Sequence, residues 1–421
     1  MQLRRVLLPN EVLVYTFHCL SYDTLKLFGK FMDFDEVIDR RGTHSSKWDT
    51  MEDLYGVSPD NGLSMWVADM DFRAPKIIQE KLYGINSHGI YGYYGDYKEY
   101  NNSIKWWMKN RHNWEIDTSW IFTTHGLVNG TGLCIDAFTK PGDGIILFTP
   151  VYYQFSNLVE AARRKVVECP LKLIDNHYHF DFVEYERNLS GDEKMVILCS
   201  PHNPGGRVWT KNELQEVAKF AKKHDLVVVS DEIHHDLVYP NKSHTVMPIA
   251  DPSVCDRLVM MTSTTKTFNI AGAHSGNVII SNPNLRQKFS QRIKALGISP
   301  NSFGLFMATA AYSPEGAEWL DELLHYIDGN RVIFDKEVNK IPGLSSMPLE
   351  GTYLAWVDFS GTGMEEEEFI YTVQEKAKIA VNHGSTFGTG GEKYLRFNLA
   401  TPRTLVVEAT KRLEDAFSDL Q

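Results

Sequence analysis

The sequence predicts an α/β fold with a mostly parallel central sheet, followed by a smaller α+β region. Three observations carry this. From about residue 76, strand-like and helix-like stretches alternate. Four of the strand-like runs are short and apolar, and each delivers a polar or glycine-rich segment at its C-terminal end. After about residue 319 the pattern shifts to longer charged helices with a few strands. The C-terminal edge of an open α/β sheet is where ligands bind, so those four segments are the place to look for chemistry. A chain of 421 residues has room for about two or three domains.

Taken in order, residues 1–31 look unlike the rest. They are apolar in patches but broken by Pro9, Asn10 and Glu11, a poor secretory signal. An organelle transit peptide is one possibility; an upstream start, with Met32 as the functional one, is the simpler expectation. Residues 120–124 read as a buried strand, and 126–138 as a helix opened by Gly126. A strand over 144–149 ends at Pro150, and one over 195–199 ends at Ser200-Pro201. A patterned helix over 211–224 carries its lysines late, as the helix dipole favours. Strands over 226–230 and 258–263 lead to Asp231 and Lys266. Beyond residue 319, helices are expected over 321–340, 365–378 and 405–420, with strands over 352–359 and 394–398. The expected organisation is an extension over 1–31, a segment over 32–75 that joins the small domain, a large domain over 76–318 and a small domain over 319–421. The run Glu365 to Glu368 suits the first turn of a solvated helix better than a metal site.

Composition excludes several classes. Hydrophobic residues make up 43% and charged residues 23%, ordinary for a folded globular chain. The formal net charge of −11 disfavours an electrostatic nucleic-acid or anionic-membrane binder. No apolar run approaches the ~18 residues of a membrane span. The five cysteines (Cys19, Cys134, Cys169, Cys199, Cys255) form no C-x-x-C pair, so neither a disulfide framework nor a zinc ribbon is expected. A reducing, cytoplasmic compartment follows. His177-Tyr178-His179 and His234-His235 have no second ligand cluster at a recognised spacing, and no metal is expected.

Lys266 stands in Ser263-Thr264-Thr265-Lys266, just beyond an apolar strand. It is either a strand-end surface charge or, if desolvated, a neutral amine able to form a Schiff base. Asp231 follows another apolar strand and suits either a helix cap or the protonated ring nitrogen of a cofactor. Asn203, between Pro201 and Pro204, is a plain turn residue or an amide aimed at a phenolic oxygen. Gly126 opens a helix whose free N–H groups and dipole make a phosphate seat. Tyr152 is a core aromatic or a ring-stacking face.

The order Gly126, Tyr152, Asn203-Pro204-Gly205, Asp231-Glu232, Ser263-x-x-Lys266 and Tyr394-x-Arg396-x-Asn398 resembles the fold-type I pyridoxal-phosphate (PLP) enzymes of the class I/II aminotransferase family, over about residues 32–420. That resemblance implies Lys266 as the residue bonded to PLP, Asp231 at its pyridine nitrogen, Asn203 at its ring oxygen and Tyr152 stacked on the ring. It further implies Gly126, Leu127 and Ser263 at the phosphate, and Arg396 clamping the substrate α-carboxylate. Tyr91 would reach the phosphate from a neighbouring subunit, which implies a homodimer with shared sites. His234 and His274 replace a tyrosine and an arginine common in the wider family. With Trp66-Val67-Ala68-Asp69-Met70-Asp71-Phe72, they are similar to the MalY/PatB group of cystathionine β-lyases. The implied activity is β-elimination from cystathionine or another L-cysteine S-conjugate, giving a thiol, pyruvate and ammonia. The alternatives are an aminotransferase using the same residues, and a regulatory protein that keeps the fold and cofactor.

Overall fold

The computed structural model describes residues 32–420, so the expectation for residues 1–31 lies outside the described residues. Seven strands build the main sheet: β1 (Ile121–Thr124), β2 (Gly144–Leu147), β3 (Lys165–Glu168), β4 (Glu193–Cys199), β5 (Val227–Asp231), β6 (Leu258–Thr262) and β7 (Gly276–Ile279). Their spatial order is β1-β7-β6-β5-β4-β2-β3. The five strands from β6 to β3 are mutually parallel, and β7 runs antiparallel to both β6 and β1. The predicted α/β class is therefore the observed one.

Burial explains the strands. β6 is buried along its whole length and β5 from Val228 onward, as expected where helices cover both faces. Ile145, Leu147, Met195, Ile197, Val229, Val259, Met261 and Val278 share one core cluster with Leu133, Cys134 and Ile135 of helix α3 (Leu127–Phe138). Each such side chain contributes about 1.5–3 kcal/mol when fully buried. Helix α4 (Lys211–Lys223) starts with a capping box between Thr210 and Glu213, worth about 1 kcal/mol. Helices α1 (Lys76–His88) and α2 (Lys98–His112) lie ahead of β1. Lys266 sits on the one-turn helix α5 (Thr264–Thr267), capped by the Ser263 hydroxyl.

A second, antiparallel sheet comprises β8 (Ser345–Ser346), β9 (Leu354–Asp358), β10 (Asn382–His383) and β11 (Tyr394–Asn398), in the order β8-β9-β11-β10. Helices α7 (Pro314–Val338) and α8 (Arg403–Ala416) pack together beside it, after α6 (Ser302–Ala311). Leu63–Ser64 pairs in parallel with Ile379–Ala380, which ties the N-terminal segment to this half. Helix α7 starts earlier than expected, because Ser313 caps it through the Gly316 N–H and Pro314 fits the first turn. It therefore runs unbroken across the expected boundary at 318/319. The helix expected over 365–378 is also interrupted: an α segment, Glu366–Tyr371, gives way to a π-helical stretch, Thr372–Lys376. Among the described residues, no helix is long and apolar enough to cross a membrane.

Candidate active site

The C-terminal ends of β4 and β5, the loops after β1 and β2, and helix α5 enclose one cavity. Eight of the ten expected site residues line it: Gly126, Leu127, Tyr152, Asn203, Asp231, His234, Lys266 and Arg396. They come from positions 126 to 396 of the chain, and only folding brings them together.

Lys266 donates from Nζ to the Ala68 carbonyl at 2.6 Å. Burial pushes its ammonium down to about 8; Asp69 and Asp231 oppose that shift, and Arg396 reinforces it. Asp231 ends β5 fully desolvated, with Oδ1 accepting from the Ile233 N–H at 3.1 Å. That turn-type bond is the cap role anticipated for it, yet one backbone donor does not compensate burial. Its carboxyl is pushed up to about 7, chiefly by desolvation and further by Glu232. Arg396 stands on β11, 2% exposed. Its Nη1 donates to Asn203 Oδ1 at 2.8 Å, and its Nη2 donates to the Trp66 carbonyl at 3.0 Å and to Asn382 Oδ1. The guanidinium lies 5.0 Å from the Phe387 ring centre, and Nε has no hydrogen-bond partner. Among the described residues it forms no ion pair, so this buried cation suits a ligand carboxylate.

Gly126 adopts φ +83°, and a Cβ there would meet nothing within 4 Å, so the backbone opens onto the cavity. The first N–H groups of α3 follow directly, giving an anion seat. The Tyr152 ring is half-buried, set edge-on to Phe155 at 5.6 Å, and burial raises its phenol. His234 is buried, burial holds it neutral, and its Nδ1 has no partner.

Two expected residues do not line the cavity, and for Tyr91, whose expected place is the site of a neighbouring subunit, that is no departure. Ser263 is 1% exposed and does not line the cavity. Its hydroxyl donates to the Ser275 carbonyl at 2.7 Å and caps α5 through the Thr265 N–H. Thr265 and His274 stand on the wall instead. Tyr91 lies outside this cavity, on an exposed surface beside Phe303, with its hydroxyl on Asn86. Ala68, Tyr153, Thr265 and Asn382 also line the cavity and were not anticipated individually. The Trp66-to-Phe72 motif was the one available signal for Ala68.

The histidine pair also has an unforeseen neighbourhood. His112, from α2, lies 4.2 Å ring to ring from His235, and both reach the Asp236 carboxylate, at 2.9 and 3.1 Å. These three buried residues form a group with metal-ligand spacing that the linear sequence hid. Asp236 also accepts from Trp107 Nε1 and Thr267 Oγ1, both at 2.9 Å, so its oxygens are satisfied within the protein.

The cavity residues fit PLP on chemical grounds. A depressed amine suits its aldehyde, an under-satisfied buried carboxyl suits its ring N–H, and free helix N–H groups suit its phosphate. The profile of the family "Aminotransferase class I and II" matches residues 69–413, and the chain belongs to that family. It is 36% identical to cystathionine beta-lyase PatB of Bacillus subtilis, over 92% of this chain and 100% of that protein. It is 31% identical to protein MalY of Escherichia coli, over 91% of this chain and 98% of that protein. The crystal structure of cystalysin from Treponema denticola, which contains a pyridoxal 5′-phosphate cofactor, is similar at a TM-score of 0.88 and 38% identity. That match covers 93% of this chain and 100% of cystalysin.

Proposed function

We propose that this chain is a PLP-dependent carbon–sulfur β-lyase, converting cystathionine or a related L-cysteine S-conjugate and water into a thiol, pyruvate and ammonia. The observation that carries this is the meeting of Lys266, Asp231 and Arg396 in one cavity, none of them ion-paired among the described residues. When bound, PLP supplies a sink for the electron pair left at the substrate Cα. Lys266 would hold the cofactor and supply the base for the Cα proton at its Nζ; an amine near 8 is neutral often enough near neutral pH for that task. Asp231 would hold a proton at the ring nitrogen. Asn203 has a double task, meeting the ring oxygen while its Oδ1 steadies Arg396. Arg396 receives the substrate carboxylate through its fork. Tyr152 would offer its face to the ring, and Gly126 and Leu127 would offer backbone N–H groups to the phosphate. His234, a neutral imidazole on the cavity wall, would pack beside the ring, and Ser263 caps α5.

The lyase is favoured over an aminotransferase by the similarity to PatB and by His234 and the Trp66-to-Phe72 segment. The family description keeps aminotransfer as the second reading. Supplying cystathionine without any oxo acid decides between them: pyruvate and thiol release is expected. Glutamate formation from an amino acid and 2-oxoglutarate, without pyruvate release, would overturn the lyase. A homodimer belongs to the same proposal, because Ile90, Tyr91, Tyr93 and Phe303 expose a contiguous apolar surface. Sedimentation at the monomer mass would refute it. Residence in a reducing cytoplasm agrees with Cys134, Cys169, Cys199 and Cys255 all being free.

A further inference from the structure

Residues 66–72 form a strap whose carbonyls are held by side chains from distant elements. Arg396 takes the Trp66 carbonyl at 3.0 Å, and Asn398 takes those of Val67 and Asp69 at 2.7 and 2.6 Å. Asn269 takes those of Met70 and Phe72 at 3.0 and 2.7 Å. The Ala68 carbonyl is different. It accepts the Lys266 amine at 2.6 Å and, on its other lone pair, the Tyr353 hydroxyl at 2.9 Å. Tyr353 is fully buried immediately before β9; its own carbonyl accepts the Leu399 N–H, and its ring lies edge-on to His234 at 6.0 Å. Neither the residue types nor the spacing of the catalytic set singles this tyrosine out.

We propose that Tyr353 is a positioning residue for the catalytic amine: its hydroxyl fixes the Ala68 carbonyl as the dock that holds free Lys266 by one N–H. A neutral amine held through an N–H keeps its lone pair available, and the dock turns that lone pair toward the cavity, where the Cα proton arrives. With both Val67 and Asp69 pinned by Asn398, the Ala68 peptide has little freedom except the tilt that Tyr353 removes. The charged and titratable groups facing the amine are Asp69, Asp231 and Arg396, with His234 alongside. This rests on Lys266 being the proton-transfer base proposed above.

Tyr353→Phe tests it, since the ring and its packing are kept and only the hydroxyl is lost. Three quantities are measured: kcat and KM for β-elimination, the thermal midpoint, and the pH dependence of Lys266 reductive methylation in cofactor-free protein. The expected result is a kcat about tenfold lower, the size of one lost hydrogen bond, with KM within about threefold. The Lys266 methylation midpoint should move upward, because a carbonyl released from the phenol is a better acceptor for the ammonium. An unmoved methylation midpoint overturns the proposal whatever kcat does, and a fall in thermal midpoint with no other change assigns Tyr353 to packing alone. The methylation arm uses no substrate. A parent protein that eliminates nothing but whose Tyr353→Phe variant shifts that midpoint would defeat the lyase and leave the dock standing.

Discussion

Asp231 and Asp236 lie five residues apart and are both buried, yet their surroundings are opposite. Asp236 accepts from Trp107, Thr267 and His112 and touches His235, and the two histidines hold its carboxyl well below the usual range despite burial. Asp231 has one backbone donor and is pushed up to about 7. A carboxylate surrounded by donors is part of the scaffold; one left short of them is waiting for a ligand. Asp236 also bonds Thr267, the residue after Lys266, so the satisfied carboxylate anchors the helix that presents the unsatisfied amine.

The comparison breaks most severely at Lys266. Lys266→Ala should remove the covalently held chromophore and abolish turnover, checked by absorbance and borohydride trapping; a reducible adduct at another lysine would end the assignment. Asp231→Asn comes next, and should retain cofactor while losing most of kcat, because an unprotonated ring is a poor sink. Near-normal kcat would contradict its role. Asp236→Ala should act on stability instead, by about 3–5 kcal/mol, as when one partner of a buried charged set is removed, measured by chemical denaturation. Arg396→Ala should weaken carboxylate recognition by about 2–5 kcal/mol, read as kcat/KM for substrates with and without a free carboxylate. Equal losses on both would refute the clamp.

The smallest effects, in pH, sharpen the contrast. Asp231 has a folded pKa above its unfolded one, near 3.8, so the folded state binds its proton more tightly. Its cost to stability is absent below about 4 and complete above about 7. Asp231→Asn should therefore raise the thermal midpoint of cofactor-free protein at pH 8 and leave it nearly unchanged at pH 4. His112 is the reverse: burial, with His235 adding and Asp236 opposing, lowers it from 6.5 to about 4. The unfolded chain takes up that proton first, so stability falls as pH drops from 6.5 toward 4. His112→Gln should flatten that limb of the stability curve, and an unaltered slope would show that His112 is not its source.

The legible strands include β4, β5 and β6 in the middle of the main sheet, β2 and the edge strand β1, and β9 and β11 of the second sheet, whereas β7, buried between β1 and β6, was not anticipated. β4, β5 and β6 were readable because burial on both faces demands uninterrupted apolar residues. The edge strand β3, exposed at both ends, carries no such signature, and the two-residue strands β8 and β10 are too short to show any period. The start of α7 was missed because its first turn follows directly on α6, and the cap at Ser313 sits inside a run of small and aromatic residues.

Which residue types would do the chemistry was set by the sequence: an amine, a carboxyl, an amide and a guanidinium placed after strands or within one, in a recognisable order. Tertiary structure decided their states. Whether a carboxylate is charged depends on which groups reach it, and Asp231 and Asp236 differ there through His235 and the remote His112. It also decided that the Ser263 hydroxyl is engaged elsewhere, that His112 closes on His235, and that Tyr353 shares a carbonyl with Lys266. Desolvation and hydrogen-bond geometry are properties of assembled neighbours, and no linear spacing encodes them.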